Sequence, residues 1–154
     1  MNNLYIKKVS TLVLQIVIIL IGVSSLAFIL WEPTIEGRNV HATLFEVYFK
    51  DPFLAYVYIA SIPFFVLLYQ AFKLSGYRGQ SEVFLQHSVR ALRMIKYCAV
   101  TLVSCIVMPV AYLFVVRPGD DIAGGVAIGL FLIFVFTVIA ITSSIFERTL
   151  QNKK

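Results

Sequence analysis

Four apolar runs, each about as long as a membrane-spanning helix, constrain this chain more than any other feature. An α-helix needs about 20 mostly apolar residues to cross a hydrocarbon core of about 30 Å. Of the 154 residues, 60% are hydrophobic and only 14% are charged, which is more apolar surface than a soluble domain of this length can bury. The sequence therefore predicts an all-α membrane protein, one domain over residues 1–154, with a bundle of four spans at roughly Thr11–Leu30, Phe53–Leu74, Met94–Val116 and Ile122–Phe146.

A signal peptide is the alternative interpretation of the first run, because the basic segment MNNLYIKK precedes it. The run itself, VSTLVLQIVIILIGVSSLAFIL, is longer than the roughly 7–15 apolar residues of a signal peptide. A small-residue site, VSSLA, lies within it and keeps cleavage open as an alternative. We expect the run to be retained as a transmembrane helix.

The basic residues are divided unequally between the two sides of this four-span arrangement. Ten of the 13 fall on the side that holds both termini and the second loop, whereas Arg38, Lys50 and Arg117 fall on the other side. That other side also holds six of the eight acidic residues. Since loops rich in Lys and Arg stay in the cytoplasm, we expect both termini and the second loop to be cytoplasmic.

The segment SEVFLQHSVRALRMIKYC leads into the third span and carries Arg90, Arg93 and Lys96 at three-residue spacing. We expect an inner amphipathic helix that lies along the lipid headgroups and then turns into the third span. Each cation near the surface attracts anionic lipid by about 1 kcal/mol. Because the bilayer accounts for these charges, we expect no nucleic-acid partner, and docking of a protein partner on this helix is the alternative.

The first outer loop contains the strongly aromatic segment ATLFEVYFKDPF, flanked by Trp31, Tyr56 and Tyr58. Aromatic side chains of this kind collect at membrane–water interfaces. We therefore expect a short interfacial helix in this loop. A lid over a groove for a lipid or another hydrophobic ligand is the alternative.

Side chains that usually carry chemistry are few, and their spacing does not favour a reaction. No ionisable residue lies in the middle of a span, which argues against a proton-coupled pump. Cys98 and Cys105 lie two turns apart on one helix, about 10 Å along its axis, so they cannot form a disulfide with each other. The expected topology places His41 and His87 on opposite sides of the membrane, so they cannot share a metal.

An outer cation site is the one metal alternative, and it would combine His41 with Glu36, Glu46 and Asp51. Acidic side chains in a wet loop are usually solvated, so we predict no metal ligand. The sequence also contains no Gly-rich phosphate loop and no nucleophile with a paired base. We therefore predict no catalytic residue and no cofactor.

Helix-breaking residues mark where the spans bend or approach one another. Pro63 and Pro109 each lack a backbone N–H and are expected to kink the second and third spans. In the fourth span, Gly125 and Gly129 form a GxxxG pair, a close-packing face for another helix. The partner helix belongs either to the same protomer or to a second copy in a homo-oligomer.

Two long stretches of this sequence, EPTIEGRNVHATLFEVYFKDPFLAYVYIASIPFFVLLYQAFKL and VRALRMIKYC, resemble the DUF2975 family of small four-helix prokaryotic membrane proteins. The resemblance covers roughly Leu12 to Glu147. It implies a multi-pass protein of the cytoplasmic membrane, and the family has no known activity from which a site residue could be carried over. Members are often encoded beside small helix-turn-helix regulators, which implies a membrane component of a regulatory or stress module.

Two functional classes fit these observations. The first is a non-enzymatic protein that senses or interacts, with residues 81–96 as its contact surface and partners in the membrane or cytoplasm. The second is an oligomeric pore or transporter for a small or apolar solute, with Tyr112, Thr137 and Thr142 facing a shared path.

Overall fold

The computed structural model describes residues 2–35, 41, 43, 45–46, 52–77, 82–116 and 122–153. These residues form four long helices and no strand: α1 (Asn2–Ile35), α2 (Pro52–Gly76), α3 (Glu82–Val116) and α4 (Ala123–Gln151). All four are long and apolar enough to cross a bilayer, which confirms the predicted all-α fold class with four spans.

The helices pack in chain order, α1 on α2, α2 on α3 and α3 on α4. Each is antiparallel to the one before it. Tyr58 near the start of α2 meets Ile29 near the end of α1, whereas Gly76 at the end of α2 meets Gln15, and the other two helix pairs show the same reversal. One end of the bundle therefore holds the starts of α1 and α3 and the ends of α2 and α4. We call it the basic end, because it carries Lys7, Lys73, Arg93 and Arg148.

The buried core lies among α2, α3 and α4. Its members are Leu67, Ile95, Cys98, Ala99, Leu102 and Phe136. The Phe136 ring packs edge to face on the Phe64 ring at a centroid distance of 6.3 Å. Buried positions of α4 recur every seven residues, at Gly129, Phe136 and Ser143, which is the period that keeps one helix seam facing its antiparallel partner.

Helix α1 packs through a narrow stripe that is less apolar than its surroundings. The half-buried side chains repeat at intervals of three and four residues, and they are Thr11, Gln15, Ile18, Gly22, Ser25 and Ile29. The other side chains from Asn2 to Trp31 are exposed and mostly apolar. Because lipid solvates apolar side chains as well as a protein core does, small residues at an interface stabilise helix packing through close contact. At Gly22 an added methyl group would lie 3.6 Å from Cδ1 of Leu68.

Helix α3 is continuous from Glu82 to Val116, so the basic segment does not turn at the membrane edge. The expectation of a helix lying along the headgroups is therefore corrected. At 1.5 Å per residue, this helix of 35 residues is about 52 Å long, which exceeds the hydrocarbon core by about 20 Å. The basic segment extends the axis of α3, because no Gly or Pro interrupts the chain between Glu82 and Tyr97.

Only part of the predicted outer aromatic helix falls within the described residues. Phe45 and Glu46 are helical, and Leu44 and residues 47–51 lie outside the description. Thr43 and Glu46 make the two reciprocal hydrogen bonds of a capping box. The Glu46 carboxylate accepts from the Thr43 backbone N–H at 3.2 Å, and the Glu46 N–H donates to the Thr43 hydroxyl at 3.3 Å.

The two glycines of the GxxxG pair have different surroundings. Gly129 is buried, and a methyl group added there would lie 2.5 Å from Cγ2 of Val110 on α3. Gly125 is exposed, and the nearest side-chain atom to such a methyl group is Cδ1 of Leu113 at 4.0 Å. The close approach at Gly129 is therefore made within the protomer, between α3 and α4.

Replacing Gly129 by Leu should lower the free energy of unfolding by about 1–3 kcal/mol, because the new side chain has to displace Val110. Gly124→Leu is the matched control, since nothing lies within 4 Å of a methyl group at that position. Unfolding in mixed detergent micelles measures both. Equal stability of the two variants would contradict the contact, and loss of an oligomer with a stable protomer would assign Gly129 to a contact between copies.

Candidate functional site at the basic end of the bundle

A buried carboxylate bound by two cations joins α3 to α4 at the basic end. Nε of Arg93 donates to Oε1 of Glu147 at 2.8 Å, and Nζ of Lys96 donates to Oε2 at 2.8 Å. Only 7% of the Glu147 side chain is exposed, compared with 50% for Arg93 and 26% for Lys96. We call these three residues the ion cluster.

The antiparallel hairpin of α3 and α4 brings the ion cluster together. Arg93 and Glu147 lie at similar distances along the chain from the connection between the two helices, so they meet at the same level. Glu147 also falls on the buried stripe of α4, one turn beyond Ser143. Lys96 is one turn after Arg93 on α3 and reaches the second carboxylate oxygen. Its ammonium also lies 5.4 Å from the centre of the Tyr97 ring.

The three basic residues predicted at the membrane surface therefore have different environments. Arg90 is exposed and makes no ion pair within the described part of the chain, whereas Arg93 and Lys96 are held by Glu147. Sequence reasoning missed Glu147. The available signal was its position, since it is one of only two acidic residues on the predominantly basic side and it directly follows an apolar run.

Removing Glu147 and removing the whole ion cluster are expected to have different consequences. A buried ion pair adds little net stability over apolar residues of similar size, but removal of one partner leaves a charge without compensation. The cluster carries two positive charges and one negative charge. The net positive charge of the cluster is exposed at the Arg93 guanidinium.

Two hydrogen bonds link α2 to its neighbours α1 and α3. Each is accepted by a backbone carbonyl whose usual donor in the helix is replaced by a proline. In a helix, the carbonyl of each residue accepts from the N–H four residues later. Pro109 has no N–H for the carbonyl of Cys105, and the Tyr56 hydroxyl donates to that carbonyl at 2.6 Å. Pro33 likewise has none for the carbonyl of Ile29, which accepts from the Tyr58 hydroxyl at 3.4 Å.

These tyrosines lie two residues apart on α2 and point to different neighbours, because two residues correspond to about 200° around a helix axis. Tyr56 and Tyr58 are two of the aromatic residues predicted at the membrane interface. The structure gives both hydroxyls a specific acceptor on another helix. In lipid a carbonyl without a hydrogen bond is destabilising, so these contacts allow α1 and α3 to contain the prolines.

The remaining polar side chains of the spans are mostly bonded to their own helices. Thr101, Ser104 and Thr137 are exposed, and each hydroxyl donates to the carbonyl four residues earlier at 2.7–3.1 Å. Tyr112 and Thr142 are also exposed. These residues lie on the outside of the protomer.

Neither histidine lies in a metal-binding arrangement in the described ranges, where no three His, Cys, Asp or Glu side chains converge. The His87 ring lies 5.9 Å from the Tyr77 ring at the basic end. His41 is exposed, and its proposed partners Glu36 and Asp51 lie outside the described residues. Cys98 is buried in the core and Cys105 is half-buried, both as free thiols.

Comparison with the sequences of known proteins identifies the family. Residues 39–153 match the model of a family described as a protein of unknown function, DUF2975. The chain belongs to the DUF2975 family. It is also 39% identical over 150 residues to a Bacillus subtilis (strain 168) protein described as "Uncharacterized membrane protein YoaS", with 95% of this chain and 92% of that protein covered. No solved structure matches the chain.

This DUF2975 protein is thus a multi-pass membrane protein of a family without an assigned activity. The range matched by the family model starts after α1 and contains α2, α3 and α4, the helices that enclose the core. It also contains the complete ion cluster and the hydrogen bond from Tyr56 to Cys105.

Replacing Tyr56 by Phe should lower the free energy of unfolding by about 1 kcal/mol, because the Cys105 carbonyl loses its partner. In a Pro109→Ala background the same substitution should cost much less, since the alanine N–H can bond that carbonyl. A double-mutant cycle in mixed micelles measures this coupling. Tyr112→Phe is the control, an exposed tyrosine on α3. An equal cost of Tyr56→Phe in both backgrounds would contradict the role of Pro109.

Proposed function

We propose that this DUF2975 protein is a non-enzymatic sensing or interaction component of the cytoplasmic membrane of a prokaryote. The observation that supports this is the extension of α3 beyond its apolar span. Residues 82–93 continue the helix, and in its first turns Val83, Phe84 and Arg90 are exposed. We call residues 82–93 the α3 extension.

The α3 extension presents apolar side chains where the bilayer no longer covers them. Val83 is 63% exposed and Phe84 is 43% exposed. Both precede Met94, where the apolar run starts, by about 15 Å or more along the helix. Val83 and Arg90 are seven residues apart, so they lie on one face of the helix about 10 Å apart along its axis and offer apolar contact and positive charge to a partner protein.

The ion cluster supports a sensing role because it anchors the base of the α3 extension. Arg93 is the last residue of the extension, and its Nε is bonded to Glu147 on α4. Because the helix is continuous and is anchored there, a partner that binds near Phe84 can act on the packing of α3 against α4.

We also propose the orientation in which both termini and the α3 extension are cytoplasmic. The bias in basic residues supports it, since ten of 13 lie at the basic end or in the segments next to it. A partner of the α3 extension is then a cytoplasmic protein or the cytoplasmic domain of a membrane protein.

Cysteine labelling of intact cells tests this orientation. The background is the Cys98→Ala, Cys105→Ala protein, which we expect to fold because neither thiol forms a disulfide. A membrane-impermeant reagent should label Asp120→Cys and should not label Gln80→Cys until the cells are opened. The reverse pattern would overturn the proposed orientation.

An oligomeric pore or transporter is the alternative function. It is supported by the exposed hydroxyl groups on α3 and α4, among them Tyr112, Thr137 and Thr142. These groups face outward from the protomer, so several copies would have to surround a common axis. Oligomeric protein in lipid nanodiscs favours this alternative, and a monomer contradicts it.

A photo-crosslinking residue at position 84, in cells that produce the full-length protein, tests the contact surface. We expect a protein adduct at position 84 and only lipid adducts at Met108, an exposed residue within the α3 span. Arg90→Glu should reduce the yield at position 84 several-fold if charge contributes to docking. Lipid adducts alone at both positions would contradict the proposed function, and adducts between two copies at Thr137 would favour the pore.

A further inference from the structure

We propose that Arg93, positioned by Glu147, forms a binding site for the phosphate group of an anionic phospholipid. The site lies on the exposed side of the ion cluster. This inference goes beyond the proposed function, because it depends only on the position of α3 and α4 in a bilayer and requires no protein partner.

The ion cluster holds one edge of the Arg93 guanidinium in a fixed position. Glu147 accepts from Nε of Arg93 at 2.8 Å, and Lys96 holds the other oxygen of the same carboxylate at 2.8 Å. In the described part of the chain, the two terminal nitrogens of Arg93 have no hydrogen-bond partner. A guanidinium donates from a rigid planar fork, so fixing its Nε side leaves the other edge free to bind two phosphate oxygens.

The side chains of the ion cluster differ in exposure. The Glu147 side chain is 7% exposed, whereas that of Arg93 is 50% exposed. The carboxylate is thus enclosed and already neutralised, while the guanidinium faces outward. The cluster offers positive charge to the surroundings and shields its negative charge, which is the polarity that a phosphate requires.

The depth of the ion cluster in the bilayer also suits a lipid phosphate. Arg93 directly precedes the apolar run 94–116, and Glu147 directly follows the apolar run 122–146. Both therefore lie where hydrocarbon gives way to headgroups, at the level of the lipid phosphates. The exposed cation Arg90, which precedes Arg93 by about one turn of α3, adds attraction for an anionic lipid.

Positioning by Glu147 can be distinguished from general attraction between a basic surface and an anionic membrane. If attraction alone mattered, removing a negative charge by Glu147→Gln would strengthen binding of anionic lipid. If Glu147 holds Arg93 in place, the same substitution weakens binding, because the arginine side chain then has to be ordered by the lipid itself. The two explanations predict changes of opposite sign.

Native mass spectrometry of the full-length protein, titrated with phosphatidylglycerol or phosphatidylcholine of identical acyl chains, measures this difference. Glu147→Gln should weaken phosphatidylglycerol binding about five- to tenfold. The charge-assisted hydrogen bonds from Arg93 to the phosphate would then form only after the arginine side chain has been ordered by the lipid. Binding of phosphatidylcholine should not change. Arg148→Gln removes an exposed cation outside the ion cluster and should change phosphatidylglycerol binding by less than about twofold.

Arg93→Lys provides the second test, because it keeps the charge and removes the planar fork. Arg93→Lys should also weaken phosphatidylglycerol binding. If Glu147→Gln does not fold, the binding measured for Arg93→Lys tests the proposal by itself. Unchanged or tighter phosphatidylglycerol binding by a folded Glu147→Gln protein would overturn the proposal, as would wild-type binding by Arg93→Lys. Inorganic phosphate that displaces phosphatidylglycerol at equal concentration would show a site for a soluble anion and overturn the assignment to a lipid.

Discussion

A backbone carbonyl inside a bilayer must find its hydrogen bond within the protein, and the arrangement of this bundle follows from that requirement. Pro33 and Pro109 each deprive one carbonyl of its usual donor. Tyr56 and Tyr58 supply the missing donors from α2, one toward α3 and the other toward α1. Hydrogen bonds as well as apolar packing therefore hold α2 between α1 and α3. Pro33 and Pro109 thus determine which carbonyls of α1 and α3 are available to the tyrosines of α2.

The α3–α4 hairpin depends on a different combination of contacts. Gly129 admits Val110 near one end of the pair, and the ion cluster joins the helices at the other end. Between them, α4 presents a buried residue every seven positions. In lipid, apolar packing alone does not strongly favour one helix register over another, because apolar side chains are solvated as well by lipid as by the neighbouring helix. A buried carboxylate with two cations does have such a preference, since displacement along the axis would separate Glu147 from Arg93 and Lys96.

Several features could be predicted from the sequence because they depend on amounts of apolar surface and charge. The four spans are runs of about 20 apolar residues, and no fold of a single small globule could bury them. The basic segment before the third span was also predicted correctly as helical. Its direction was not, because the angle between a helix and the bilayer depends on whether the chain breaks, and α3 continues without a break from Glu82. Glu147 was missed because its partners lie more than 50 residues earlier in the chain.

The sequence by itself determined that the chain is a four-span membrane protein, since length and hydropathy act locally within each run and need no knowledge of the neighbours. It also determined the difference in charge between the two sides. Only the tertiary structure decided that Arg93 and Lys96 share Glu147, that Arg90 does not, and that two tyrosines complete the bonding of two proline-containing helices. These contacts depend on the rotation and register of each helix against the next. The physical reason is that two side chains bond only when they are close in space. An apolar pattern in the sequence does not determine which residues of different helices are close.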